Sequence, residues 1–386
     1  MLGSTFIVAL FRIKTQPEVL MKFVHCADIH LDSAFTLTNP ADAGRRRNEL
    51  RAAFSSLILH AKSEDCRLFL ISGDLFDDKT VTKDTFEMLE REMSSFSRCH
   101  FFISPGNHDP YNESSPYKLV NLPENVHIFT EPEMTCVDLP DLGARIYGYA
   151  FTSDTMTSSP LEGFTVENKE LINILVCHGE VGNSLSNYCP ILESDMARSG
   201  FDYIALGHIH KGSGLKYAEK VPYAYPGCIL GRSFDETGSK GAFIGEISKD
   251  GLELQSIKLS GRKYEIASCD ITGASDIASV SEKLISACAS FGEDTALRLV
   301  LEGITYPEFS FSENEVKSLI TRPFYLEIKD NTLPLYNADY LKKDNTVIGE
   351  FYRNIEPKLV SENLSERETA RLALKYGLKA LYGREL

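Results

Sequence analysis

The sequence is short of several things that would name a simple class. Its nine cysteines lie scattered and form no CxxC pair. Their odd number, and their place in apolar runs such as KFVHC and NILVC, suits a reducing, cytoplasmic compartment better than a disulfide framework. No apolar run approaches the ~18 residues of a membrane span, so no membrane association is expected. The first twenty residues lack the basic n-region of a signal peptide. A second methionine, Met21, directly precedes a chemistry-bearing strand, and residues 1–20 are expected to be an alternative start or a disordered arm. Positive charge is scarce too, Lys+Arg 40 against Asp+Glu 55 giving a net charge of -15. That excludes a coat for nucleic acid or an anionic membrane, but not a nucleic-acid substrate met by locally concentrated positive charge, which bound metal ions can supply. Proline is sparse, 16 in 386 residues that are 43% hydrophobic, so the chain can build more than one packed core. No internal repeat or low-complexity tract is evident.

What is present is a repeated device. In MKFVHCADIH, RLFLISGDLFD, HFFISPGNHD, INILVCHGE and DYIALGHIH, a short β-rich run stops and His, Asp or Asn follows at once, usually beside glycine. Between the first three lie stretches of helical period, with Leu50, Phe54, Leu57 and Ile58 on one face and Phe86, Leu89, Met93 and Phe96 on the next. Strand, polar loop, helix, strand predicts a βαβ arrangement whose functional groups gather at the carboxyl ends of the strands. After Asn121 the short strands VHIF, MTCVDL and ARIYGYAF, and later VPYAYPG, GAFIGEI and LELQSIKLS, predict a second sheet packed on the first. The fold class expected is α/β, a two-sheet sandwich flanked by helices over residues 21–262. A small α/β module is expected over 263–332 and a helical tail over 333–386. In that tail VIGEFYRNI is expected to stop at Pro357. A last helix is expected to open with Ser365 and Glu368 in capping-box spacing and to stop at Gly383. Ala370, Leu374, Leu378 and Leu381 form its docking stripe, with Leu372 and Tyr376 as a second ridge.

The strand-end residues form one inventory: Asp28, His30, Asp74, Asn107, His108, His178, His208 and His210. Carboxylate, amide oxygen and imidazole without thiolate suit Mn²⁺, Fe or Zn²⁺ in an open site better than a closed structural zinc. The set is too large for one ion with an open position and fits two ions sharing a carboxylate. Two such ions, less two carboxylates and a bridging hydroxide, leave roughly one positive charge facing an anionic phosphodiester. Gly73, Gly106 and Gly207 each precede a candidate ligand where the chain must turn sharply. His208 and His210, at i and i+2 of an extended chain, are expected to point the same way. Cys26 and Cys177 adjoin ligands, yet strand alternation turns them into the core.

The ordered set DIH, GDLFD, GNHD, HGE and GHIH resembles the calcineurin-like metallophosphoesterase superfamily. The resemblance implies a two-sheet α/β/β/α metallophosphoesterase sandwich and two divalent ions, Mn²⁺ first, with Fe or Zn²⁺ as options. One ion would take Asp28, His30, Asp74 and His210, the other Asp74, Asn107, His178 and His208. A hydroxide between them would be the nucleophile. His108 would be the acid that protonates the leaving oxygen, oriented by Asp109, and Asp77 a supporting residue. HLDSAF after the first motif, NHD rather than NHE, and no Arg-Gly after GDLFD make the chain similar to bacterial DNA repair exonucleases of the YhaO and SbcD type, from Met21 to about Asp330. The 263–332 module resembles the capping domain of those nucleases. Asp32 stands where SbcD-type sequences usually carry glycine, which leaves duplex-end processing less secure. DNA as substrate, an SMC-like coiled-coil ATPase as partner and a homodimer follow as expectations. The alternatives are a small-molecule phosphodiesterase or nucleotide pyrophosphatase, and a catalytically weak scaffold subunit. Arg45, Arg46, Arg47 and Arg51 are candidates to track a phosphate backbone, and Tyr111, Tyr117 and Tyr188 to stack on bases. A solvated helix face and packed or loop tyrosines explain them as well.

Overall fold

The computed structural model describes residues 20–35, 40–77, 80–306, 309 and 311–383. The extension expected at 1–20 therefore lies outside the described residues except for Leu20. The chain divides into two compact units: the described residues up to Leu230 with Lys240–Leu259, and Gly231–Ser239 with the described residues from Ser260 on.

In the first unit the apolar runs become strands β1 (Met21–Cys26), β2 (Leu68–Ile71), β3 (His100–Ile103) and β4 (Val126–Ile128), all mutually parallel. Next come β5 (Thr135–Leu139), β6 (Ala144–Gly148), β7 (Ile172–His178) and the short pair β8 (Glu180–Val181) and β9 (Pro190–Ile191). They are followed by β10 (Tyr203–Gly207), β11 (Lys216–Ala218), β12 (Val221–Ala224), β13 (Gly241–Ile247) and β14 (Leu252–Lys258). One six-stranded sheet has the order β14-β13-β1-β2-β3-β4, the other β11-β12-β10-β7-β6-β5.

Alternation along each strand makes the layers. Phe23, Leu70 and Phe102 of the first sheet meet Ile146, Ile174, Val176, Tyr203 and Ala205 of the second in a shared apolar layer. The outer face of the first sheet, with Val24, Phe69 and Phe101, is covered by Leu50, Phe54, Leu57 and Ile58 of α1 (Pro40–Ser63) and Leu89 and Met93 of α2 (Lys83–Ser94). The outer face of the second, with Leu175, Ile204 and Leu206, packs on Met196 of α3 (Glu193–Ser199). The unit is thus an α/β/β/α sandwich. Cys26 and Cys177 both sit in outer-layer cores, and all nine cysteines are free.

The allocation of strands to sheets differs from the sequence expectation. VHI, GAFIGEI and LELQSIK join the first sheet, β13 pairing antiparallel with β1, while the motif strands β7 and β10 belong to the second. An apolar alternation identifies a strand and its buried face but not the distant partner that receives its hydrogen bonds.

The second unit builds a parallel sheet β15-β16-β18 from β15 (Lys263–Asp270), β16 (Thr295–Glu302) and β18 (Tyr325–Asp330), with β17 (Ile304–Thr305) paired to β19 (Leu333–Pro334). Helices α4 (Ser281–Cys288) and α5 (Glu313–Leu319) lie in its crossovers, Ser312 and Glu315 forming a capping box on α5. After α6 (Ala338–Leu341) come α7 (Val347–Leu359) and α8 (Leu364–Leu381). Pro357 lies inside α7 rather than ending it; so close to the C-terminus, one lost N–H costs little. Asn363, not Ser365, caps α8, its side chain accepting from the N–H groups of Ser365 and Glu366. Ala370, Leu374 and Leu378 are buried, Leu372 and Tyr376 exposed. The buried Lys379 closes the helix onto β18, its ammonium 2.7 Å from the Asp330 carboxylate. Among the described residues no helix is long and apolar enough to cross a membrane.

Phe54 is fully buried between α1 and the first sheet, so Phe54→Ala should destabilise the first unit by roughly 3–5 kcal/mol. Urea unfolding followed by circular dichroism would check this; a shift below about 1 kcal/mol would contradict the packing described.

Candidate metal centre

Strand register brings the five motifs to one level. Cys26 pairs with Ile71 and Ile71 with Ile103, so three loops leave the first sheet side by side. In the second sheet His178 pairs with Gly207. The two rows of strand ends face each other across the shared apolar layer, and the polar residues collect above it.

The backbone there is strained. Asp28, His30, Asp32, Asp74 and His208 have φ of 49°, 51°, 63°, 51° and 102°, each costing roughly 1 kcal/mol or more for a residue with a Cβ. The loops after β1 and β2 hold one another in this shape: Asp28 N–H donates to the Gly73 carbonyl at 3.1 Å, Ile29 and His30 N–H to Asp74 at 2.9 Å, and Leu31 N–H to Leu75 at 2.8 Å. Two glycines allow the close approach. A Cβ on Gly106 would lie 2.2 Å from Asp74 Oδ1, and one on Gly207 1.6 Å from the Ser72 carbonyl oxygen.

Asp28, His30, Asp74 and His178 are buried, Asn107, His208 and His210 are half-buried, and His108 is exposed. One ligand atom from each of Asp28, His30, Asp74 and His210 lies within 4.8 Å of all the others. His30 Nε2 is 3.3 Å from His210 Nε2 and 3.6 Å from Asp74 Oδ2, and His210 Nε2 is 3.6 Å from Asp28 Oδ1. On the other side, His178 Nε2 is 3.0 Å from Asn107 Oδ1 and 3.5 Å from the same Asp74 oxygen, with the His208 ring 5.2 Å from that of His178. Asp74 Oδ2 therefore lies between the two groups, while its Oδ1 accepts the His108 N–H at 3.0 Å. Asp28 in turn accepts the His208 N–H at 3.0 Å.

Two of the imidazoles are turned so that each can offer a lone pair. His178 Nδ1 donates to the Ser72 carbonyl at 3.0 Å, which leaves Nε2 for the cluster. His30 Nδ1 is 2.9 Å from Asp77 Oδ1. Burial, with His178 beside it, pushes His208 down to about 4, so the ring is neutral at pH 7. Burial also pushes the Asp28 carboxyl up to about 6. For Asp74 burial acts upward as well, but His178, His30, His108 and the His108 N–H outweigh it and hold the carboxyl below its ordinary range. Lone pairs and carboxylates converging on common points repel one another unless cations lie between them. The donor set fits two hard-to-borderline divalent ions.

Two expectations need correction. Asp109 does not orient His108: its buried carboxylate accepts from Gly106 N–H at 2.7 Å, Phe76 N–H at 3.1 Å and the Tyr117 hydroxyl at 2.5 Å. The group beside His108 is Asp77, whose carbonyl lies 3.2 Å from His108 Nδ1 and whose carboxylate lies 3.9 Å away. Nor do His208 and His210 share a face of an extended strand. Strand β10 ends at Gly207, His208 is left-handed, and a bend brings the two rings to neighbouring parts of the cluster.

Two of the four arginines are committed inside the unit, while Arg45 is exposed. Arg46 is fully buried, ion-paired with Glu49 and lying over the Phe35 ring, and Arg51 is 2.8 Å from Asp32. Asp32 also accepts the Thr82 N–H at 2.7 Å, which ties the first loop to the start of α2. Its positive φ shows why this position suits glycine. Of the tyrosines, Tyr117 is buried and Tyr111 half-buried, whereas Tyr188 is exposed with its ring 4.8 Å from that of His208. Ser72, which fixes His178, was invisible as a functional residue, since a serine at a strand end carries no distinctive pattern.

Comparison with known proteins agrees with this geometry. Residues 21–212 match the model of the family described as Calcineurin-like phosphoesterase. The chain is also 29% identical over 303 residues to the uncharacterized metallophosphoesterase YhaO of Bacillus subtilis (strain 168), covering 75% of this chain and 73% of that protein.

Gly106→Ala would push a methyl against the shared carboxylate, whereas Gly251 has nothing within 4 Å of the corresponding position. Elemental analysis after equilibration with Mn²⁺ should find bound metal reduced at least about tenfold in Gly106→Ala and unchanged in Gly251→Ala. Equal metal content in the two would contradict the arrangement described.

Proposed function

We propose that this chain, whose residues 21–212 match the calcineurin-like phosphoesterase family, is a Mn²⁺-dependent phosphodiesterase that hydrolyses DNA in the cytoplasm. The observation that carries the reading is the position of Asp74 Oδ2, 3.6 Å from His30 Nε2 and 3.5 Å from His178 Nε2, so that one carboxylate serves both halves of the ligand set. Asp28, His30, Asp74 and His210 would hold one ion, and Asp74, Asn107, His178 and His208 the other. When bound, such a pair supplies Lewis acidity toward phosphate oxygens and water acidified to near neutral pH.

The protein's own part is orientation and proton transfer. The His108 ring is exposed at the rim, perpendicular to the His30 ring at 4.8 Å. With Nδ1 donating to the Asp77 carbonyl, the proton that His108 can give to a leaving oxygen sits on Nε2. The exposed Tyr188 ring beside His208 offers a face for a base. Leu372 and Tyr376 form an exposed ridge on α8, which we assign to the coiled-coil ATPase partner that the family resemblance implies.

A second reading, a smaller phosphodiester substrate, is favoured by the arginines: Arg46 and Arg51 are held by Glu49 and Asp32 rather than free to track a phosphate backbone. A Mn²⁺ assay on single- and double-stranded oligonucleotides, bis-p-nitrophenyl phosphate and cyclic nucleotides separates the two. Cleavage of the small diesters with DNA left intact would sink the DNA reading. His108→Ala should keep its bound metal and lose turnover about 10²–10⁴-fold; near-wild-type turnover at saturating Mn²⁺ would remove His108 from the role of acid.

A further inference from the structure

We propose that Tyr203, His25 and Ser72 form a hydrogen-bonded strut between the two sheets that sets the spacing of the two halves of the metal centre, with His25 as its positioning residue. The inference rests on the metal-centre reading above. The first sheet supplies Asp28, His30, Asp74 and Asn107, and the second supplies His178, His208 and His210. Their mutual placement depends on how the sheets are held at this end. The layer between them is apolar, built from residues such as Phe23, Phe102, Ile174 and Val176, and apolar contact is non-directional. It excludes water without fixing a register to a few tenths of an ångström.

His25 is the polar exception on the inward face of β1. It is fully buried, as are Ser72 and Tyr203. Its Nδ1 is 2.8 Å from the Tyr203 hydroxyl and its Nε2 is 3.1 Å from Ser72 Oγ. Ser72 Oγ donates to the Ala205 carbonyl at 2.9 Å. A carbonyl only accepts, so the single Ser72 proton is used there and Oγ accepts from His25 Nε2–H. Nδ1 is then left to accept from Tyr203. The chain of donors runs one way, from β10 through β1 to the end of β2 and back to β10, so each bond constrains the next.

The strut ends on a ligand. The Ser72 carbonyl accepts His178 Nδ1 at 3.0 Å, and the Ser72 N–H donates to the Cys26 carbonyl at 2.9 Å, two residues before Asp28. The sheets also come very close here, with room for no side chain on Gly207 against the Ser72 carbonyl. A second tie, Ser104 Oγ to the Tyr149 carbonyl at 2.6 Å, stands at the neighbouring strand ends. Filling space alone would not call for a histidine: Phe23, two residues away on the same face, fills its share of the layer without a polar atom.

The test uses the full chain and Mn²⁺, comparing His25→Phe, Tyr203→Phe, His25→Gln and, as a packing control, Phe243→Leu, whose ring lies 6.2 Å from that of His25. Thermal unfolding gives stability, isothermal titration gives the two Mn²⁺ affinities, and electron paramagnetic resonance shows whether the bound ions are exchange-coupled. His25→Phe and Tyr203→Phe should take up a first Mn²⁺ nearly normally, bind the second about 10–100-fold more weakly, and lose the coupled signal. His25→Gln, which keeps a donor toward Ser72, should recover part of it. Phe243→Leu should keep both ions coupled despite a lowered melting temperature. If His25→Phe does not fold, Tyr203→Phe decides, since it removes one hydroxyl. A coupled pair at wild-type affinity in the strut variants, or its equal loss in Phe243→Leu, would overturn the strut. Wild-type protein binding fewer than two Mn²⁺ would overturn the metal-centre reading itself, and the strut's role with it.

Discussion

Two carboxylates held out of water, Asp28 and Asp74, are the constraint from which the rest follows. Each is buried, and burying an anion without a counter-charge is among the costliest acts a fold can perform. The structure meets part of the demand with local dipoles, the His208 N–H on Asp28 and the His108 N–H on Asp74; the imidazoles, their outer nitrogens held by Ser72 and Asp77, turn lone pairs inward and leave the rest to bound cations. The left-handed backbone at Asp28, His30, Asp74 and His208 is a further cost accepted at the same place. Strain, buried charge and convergent lone pairs coinciding at one spot mark a site whose stability has been given up for binding.

Much of this was legible because strand-end chemistry is local in sequence. A run of apolar residues that stops at Asp-x-His or Gly-Asp states its own role, and helical periodicity in 40–63 and 83–94 places the layers that cover the first sheet. The α/β/β/α architecture and the helix–strand alternation after Lys263 were readable for the same reason. What was not readable depends on partners distant in the chain. GAFIGEI pairs with the first strand although more than 200 residues separate them. The cap of α8 was misplaced because Asn363 and Ser365 are both good caps, and only the backbone path chooses between them.

The supporting residues illustrate the same limit. Asp109 follows His108 in sequence and looked like its partner, yet a side chain one residue along a tight loop turns to the opposite side, toward Phe76 and Tyr117. Asp77 reaches His30 and His108 from a different loop altogether. Ser72 and His25 likewise act across strands, through bonds that no spacing in the sequence announces. Ligands could be inferred from residue type and position, whereas the residues that aim them needed the fold.

The strand register described above also bears on how such a chain can vary. Because Cys26, Ile71 and Ile103 end level, and His178 ends level with Gly207, every ligand is counted from a fixed strand end, not from its neighbour in sequence. Loops and helices between motifs can lengthen or shorten without displacing a ligand atom. Losing one residue from a strand would turn its inward side chains outward and carry the ligands off with them. Length is therefore free between the motifs and frozen within the strands that lead into them.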